Sequence, residues 1–180
     1  MKRTLHALVM VWLLTTGTLL CADDAAPPAN PKERIGVYDS RAVAVAYCGS
    51  ALHNASLAPL MADFAKAKAA GDQKHIAELN AEGKARQQRL HLQGFSTAPV
   101  DDILDQIKDE LPAIKEKAGV TALISKWDKA GLAKHINAEV VDVTMALVEA
   151  FKPNERQRKS AITIQQHDPI PLDRAEKIRD

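Results

Sequence analysis

The side chains with chemical potential in this 180-residue chain are scattered. His53, His75, His91, His135 and His167 stand alone, without the H-x-x-x-H, H-E-x-x-H or Cys/His spacing that a zinc site needs. Ser40, Ser50 and Ser125 lie outside any G-x-S-x-G turn that would present a nucleophile. Asp102, Asp105 and Asp109 fall at i, i+3 and i+7, on one helix face. That pattern reads as the solvated side of an amphipathic helix, with a divalent-cation site as the alternative. Asn54-Ala55-Ser56 matches the glycosylation triplet, which occurs by chance in many chains. These residues point to a protein that is not an enzyme and carries no cofactor or metal.

The first 22 residues carry an address. Lys2 and Arg3 precede an apolar stretch from Ala7 to Leu20, and Ala22 stands before Asp23 and Asp24. A basic start, a short apolar run and a small residue before polar sequence describe a secretory signal peptide, cleaved after Ala22. Cys21 raises a lipoprotein alternative, but Leu20 stands where that processing expects Gly, Ala or Ser. The apolar run also falls short of the ~20 residues of a spanning helix, so no stable membrane insertion is expected after cleavage. The expected location is the periplasm, where ATP and NAD(P)H are not on hand. Of 24 basic and 23 acidic side chains, Lys2 and Arg3 leave with the leader, giving a mature formal charge of −1. Such a balance provides no footprint for nucleic acid. Cys48 becomes the one remaining thiol, so an intramolecular disulfide is impossible. Cys48 reads as a small buried hydrophobe, with an intermolecular bridge or a reactive thiol as the alternatives.

Residues 23–33 contain Pro27, Pro28 and Pro31 without apolar periodicity and read as an extended linker. Arg34–Tyr38 reads as a strand, with Asp39 or Ser40 capping the helix that follows. From there to Ala118 the pattern is helical, with Pro59 either in a first turn behind Ser56 or kinking one continuous helix. Leu57, Leu60, Phe64 and Ala67 mark one apolar stripe. Ile76, Leu79, Gly83, Arg86 and Leu90 mark another, shifted by two residues across Gly71-Asp72. Such a jump beside a glycine indicates a hairpin tip, the alternative being a local irregularity in one long helix. Val100, Ile107 and Ile114 recur every seven residues, as do Leu104, Leu111 and Ala118, which reads as a coiled seam needing a partner face. A second strand is expected over 120–127, and a loop over 128–137 with an optional strand near Ala133–Ile136. A last helix is expected over 139–151, and an extended or partly disordered tail over 152–180. The fold class that follows is mostly α with a small β-sheet (α+β), a helical-hairpin arm projecting from a small strand-plus-helix body.

This order resembles the Skp (OmpH-like) periplasmic chaperones. RIGVYDSRAVAVAY resembles that family's opening strand and helix, ILDQIKDELPAIKEKAGVTALISKWD its return helix and strand, and EVVDVTMALVEAF its final helix. The likeness covers 34–151, and the chain resembles a divergent member with an interrupted arm and an extra C-terminal tail. It implies an ATP-independent holdase, or envelope-biogenesis factor, that cages unfolded outer-membrane proteins between arms of a trimer. The arm residues expected to touch such clients are Phe64, Lys66, Lys68, Ile76, Leu79, Lys84 and Arg86. For Phe64, Ile76 and Leu79 the alternative is the seam within the hairpin. Val37, Leu123 and Val143 are expected near the subunit contact of a homo-oligomer. The rival reading is an exported coiled-coil adaptor with one specific partner.

Overall fold

The computed structural model describes residues 32–178. The expected leader (1–22) and the expected linker up to residue 31 lie outside the described residues. The chain is mostly α-helical with one small parallel sheet, an α+β protein. Strand β1 (Arg34–Tyr38) lies between β2 (Ala122–Ser125) and β3 (Glu139–Asp142), and pairs parallel with both. Ile35 faces Ala122 on one side and Val140 on the other, and Val37 faces Ile124 and Asp142. Parallel neighbours require crossovers, and the first of these contains the whole helical arm.

Gly36 is required where it stands. A Cβ there would lie 2.9 Å from Leu123 Cδ2 and 3.0 Å from Val143 Cγ2. Gly36→Ala is therefore expected to lower the unfolding free energy by about 1–3 kcal/mol through overpacking, measured as a lower urea midpoint at unchanged m-value.

Helix α1 (Ser40–Tyr47) is capped by Asp39, whose side chain accepts from Arg41 N–H. Its SRAVAVAY sequence is small-residue-rich all round, as suits a helix enclosed by neighbours. Ala42, Val43, Ala44 and Ala46 are buried, and only Val45 is half-exposed. The chain breaks at Gly49 (φ 77°), and Ser50 caps α2 (Ala51–Ala70) by accepting from His53 N–H. Pro59 thus sits inside one continuous helix, not in a first turn behind Ser56. At the tip, Gly71 takes the left-handed conformation (φ 69°) that ends α2, and Asp72 caps α3 (Gln73–Phe95). The phase jump read from the apolar stripes is a hairpin tip.

Beyond Phe95 the seven-residue repeat breaks into pieces. Helix α4 (Asp101–Leu104) passes into one 3-10 turn, Asp105–Ile107, and α5 (Leu111–Ala118) restarts with Pro112 in its first turn. Val100, Ile103 and Ile107 are buried in one core with Tyr38, Val43, Val143 and Leu147, and Leu104, Leu111 and Ile114 pack against it. The stripe expected to need another chain is covered by its own body.

Several expectations are corrected here. Glu139–Asp142 is strand β3, not the start of a helix, because the open edge of β1 supplies partners for this β-branched stretch. The terminal helix is shorter, α7 (Thr144–Ala150), and follows a five-residue helix α6 (Lys129–Ala133) that occupies the expected loop. The strand expected over 120–127 spans only Ala122–Ser125. The tail is also structured. Asn154 and Gln157 form a reciprocal capping box that starts α8 (Glu155–Ile164). Ala161 is fully buried in the core that α1 also lines. A short helix α9 (Leu172–Ala175) packs on α3.

Candidate functional site

The C-terminal end of a parallel sheet is where open α/β folds place ligands, and this chain delivers Asp39 there. Its carboxylate accepts from Arg41 Nε at 3.1 Å and Arg41 Nη2 at 2.9 Å. Lys126 Nζ, from the residue after β2, lies 2.6 Å from Oδ2, and Trp127 Nε1 donates at 3.4 Å. Arg41 and Lys126 both lie against the Trp127 ring, 4.9 Å and 4.6 Å from its centroid. Arg41 Nη1 reaches on to His167 O at 2.9 Å, and Asp39 N–H donates to Thr144 Oγ1 at 3.0 Å. Burial pushes the Asp39 carboxyl up, but the Arg41 and Lys126 hydrogen bonds and charges outweigh it and hold it below its ordinary value. Asp39, Ser40 and Arg41 are each only 1% exposed, so no ligand reaches this cluster. It fastens β1, β2, α7 and the C-terminal segment together.

The surface with room for a ligand lies elsewhere. A groove of about 1100 Å³ runs between α1, the base of the hairpin and α8. Gly83, Gln87, Leu90 and Gly94 line it from α3, at steps of four, three and four that keep to one helix face. A Cβ at Gly83 would have only Leu60 Cδ2, at 3.9 Å, within reach, so nothing in the packing demands glycine there. Val45, Leu57, Ile164 and the half-exposed Phe95 supply apolar surface. The charged residues lining the groove are Arg86, Arg156 and Lys159, and no Asp or Glu lines it. His53, His91 and His167 also line it; burial draws His53 below its usual pKa, and its Nδ1 accepts from Gly49 N–H at 3.0 Å. Cys48 lines the groove and is exposed, a correction to its reading as a buried hydrophobe. The terminus of α1 places it at a turn, outside the core.

Of the expected client contacts, only Arg86 reaches the groove. Its guanidinium is held by Glu82 at 2.7 Å and crosses the hairpin to Ser56 O at 3.3 Å. Lys66, Lys68 and Lys84 are exposed on the arm, Lys66 paired with Asp63 at 3.1 Å. Phe64 and Ile76 are half-buried. Leu79 takes the alternative reading, the seam within the hairpin, being 8% exposed on α3. Val143 is likewise corrected, because at 2% exposure its own chain encloses it and leaves nothing for a subunit contact. Leu123 and Val37 are half-buried, Leu123 against the core. The aspartate stripe is exposed at Asp102, Asp105 and Asp109, as a solvated helix face should be, and Asp102 also accepts from Gln93 Nε2 at 2.6 Å and pairs with Arg89 at 3.4 Å. Among the described residues no three His, Cys, Asp or Glu side chains gather as a metal site would require.

The basic wall that α8 adds stands where the sequence pattern alone indicates an extended or partly disordered tail. The signal was local: Asn154 followed three residues later by Gln157, just after Pro153, is a helix start.

No protein family, curated protein or solved structure matches the chain. The likeness to the OmpH-like chaperones rests on the sequence pattern alone. Among the described residues, no helix is long and apolar enough to cross a membrane.

Proposed function

We propose that the protein is an exported, ATP-independent holdase that keeps unfolded outer-membrane proteins from aggregating in the periplasm. The observation that carries this reading is a long hairpin whose outer part the fold does not use. Across α2 only Ala67 is buried, and across α3 only Leu79, Gln93 and Gly94. Beyond the base, where α3 packs on α1 and Leu52 and Leu90 meet the core, the two helices bury little, and Met61 is 63% exposed on the arm. Such a surface offers many weak apolar and ionic contacts, which suit clients without fixed structure.

Self-association belongs to the same proposal, as a homo-oligomer expected to be a trimer. With Val143 enclosed, the surface available for it lies beside the sheet edge, where Ile136 and Val140 are 85% and 60% exposed next to β3. Unpaired strand edges bearing apolar residues readily take a second chain. Val37 and Leu123 are half-buried on β1 and β2, away from that edge, and form no part of the proposed contact.

The groove favours a second reading, an adaptor for one partner, because a single concave site suits a single ligand. Aggregation assays with several unrelated unfolded outer-membrane proteins separate the two. A holdase protects all of them at comparable stoichiometry, and sediments as an oligomer at tens of micromolar (roughly the range where weak assemblies form). Protection of none, with capture of one folded protein, establishes the adaptor and sinks the holdase.

A further inference from the structure

The groove has one sign of charge, an apolar floor and a defined length. Measured along α3 from Gly83 to Phe95 it runs about 18 Å, or some three helical turns at 1.5 Å per residue. Its walls are helices on two sides, α3 and α8, and its floor is α1. Neither Arg156 nor Lys159 is in an ion pair among the described residues, and both are exposed. Arg86 shares its charge with Glu82 and is the weaker attractor of the three.

We propose that this groove docks an acidic amphipathic helix of about three turns on a partner protein, with its apolar stripe on Val45, Leu90 and Ile164 and its carboxylates at Arg156 and Lys159. The inference names a ligand for one site and rests on the reading of the protein as a binding protein. Charge complementarity selects the acidic sequence, because a basic helix would face three cations and no carboxylate within the lining. Helical form follows from the walls. An extended strand would need a free sheet edge for its backbone groups, whereas the lining here consists largely of helix side chains. The recess at Gly83 makes room for the incoming stripe, in a helix where glycine is otherwise unfavourable.

The test uses the folded chain and fluorescence anisotropy with labelled 14-residue peptides (about four turns). One carries Leu at i, i+3, i+4, i+7 with Glu flanks, a twin carries Lys flanks, and a third scrambles the Glu peptide to destroy its stripe. The Glu peptide is expected to bind at least about tenfold tighter than either control, and more weakly as salt rises. Arg156→Glu combined with Lys159→Glu, two exposed positions, should abolish that preference. Gly83→Leu fills the recess while improving helix propensity, so it should weaken binding about tenfold with no loss of thermal stability. Equal binding of the three peptides, or binding indifferent to both variants, overturns the proposal. So does tight palmitate binding without peptide binding, which assigns the groove to an anionic lipid. Aggregation protection run in parallel keeps the two readings apart. Protection without peptide binding removes the groove ligand and leaves the holdase. Peptide binding without protection leaves the groove ligand and removes the holdase.

Discussion

Asp39→Asn is expected to lower the unfolding free energy by about 3–5 kcal/mol at pH 7, because it leaves a buried cation without its counter-ion. Asparagine keeps the shape and the Oδ1 acceptor of the helix cap, but it sets an NH2 donor where Oδ2 accepts from Arg41 Nη2 and Lys126 Nζ, so charge and hydrogen bonds are lost together. Arg41 is 1% exposed and loses its counter-ion, while its guanidinium remains in the interior. Lys126 is less affected because it is about a third exposed and can turn to water. Removing both buried partners, in Asp39→Asn with Arg41→Met, should recover part of the loss, since no lone charge is then left inside. The pH dependence supplies a second check. Folding holds the Asp39 carboxyl below its ordinary 3.8, so its stabilisation is fully present above that value and is lost as pH falls through the folded pKa. The gap between wild type and Asp39→Asn, measured by urea unfolding, should therefore be constant from pH 7 to about 5 and shrink below pH 4. A gap that is equal at pH 7 and pH 3 means that the cluster is not held together by this charge.

How much of this could be read from residue order depends on how local the cause is. Strand β1 and the cap at Asp39 were legible because apolar residues and a capping side chain sit side by side. The tip was legible because two apolar stripes change phase at a glycine. Strand β3 was not, since a run as short as Glu139-Val140-Val141-Asp142 satisfies helix and strand patterns alike, and the free edge of β1 decides. The repeat at Val100, Ile107 and Ile114 did mark buried positions, Ile107 fully and Ile114 in part. It could not say whose surface covers them, because a seven-residue period is met as well by a helix broken over its own core as by a coiled pair. The groove was illegible for a related reason. Its two walls, α3 and α8, are distant in sequence, and α8 is so polar (ERQRKSAITI) that only its capping box announces a helix. Asp39 is legible in sequence only as a cap, since its partners Lys126 and Trp127 arrive from the far side of the hairpin.

Amide exchange should divide the molecule into a soft arm and a firm body, differing by about a hundredfold or more in rate. Helix α2 buries one residue, and α3 buries two of its three at its base, Gln93 and Gly94. The free arm is thus held mainly by Ala67 and Leu79 in the seam and by Arg86 reaching Ser56 O. Few buried contacts mean low-energy local opening, whereas amides beside Ile107 and Leu147, both fully buried, exchange only near global unfolding. A difference of about 3 kcal/mol between these opening events gives the hundredfold contrast, fast between residues 62 and 92 and slow in 122–125 and 143–151. Gly83→Ala should then slow the arm by about fivefold, since removing roughly 1 kcal/mol of helix penalty acts wholly on local opening there. The contrast matters for function because a holdase that accepts clients of different size must deform where it touches them, and the same softness would serve a rigid adaptor poorly. Concentration separates the sources of any protection observed. In dilute protein the arm has only its own hairpin, so slow exchange across 62–92 under that condition would mean it is packed, and the caging mechanism would fail. Slow exchange that appears only at tens of micromolar (roughly the range of a weak assembly) would instead show arms meeting one another in the oligomer, with the body's rates unchanged.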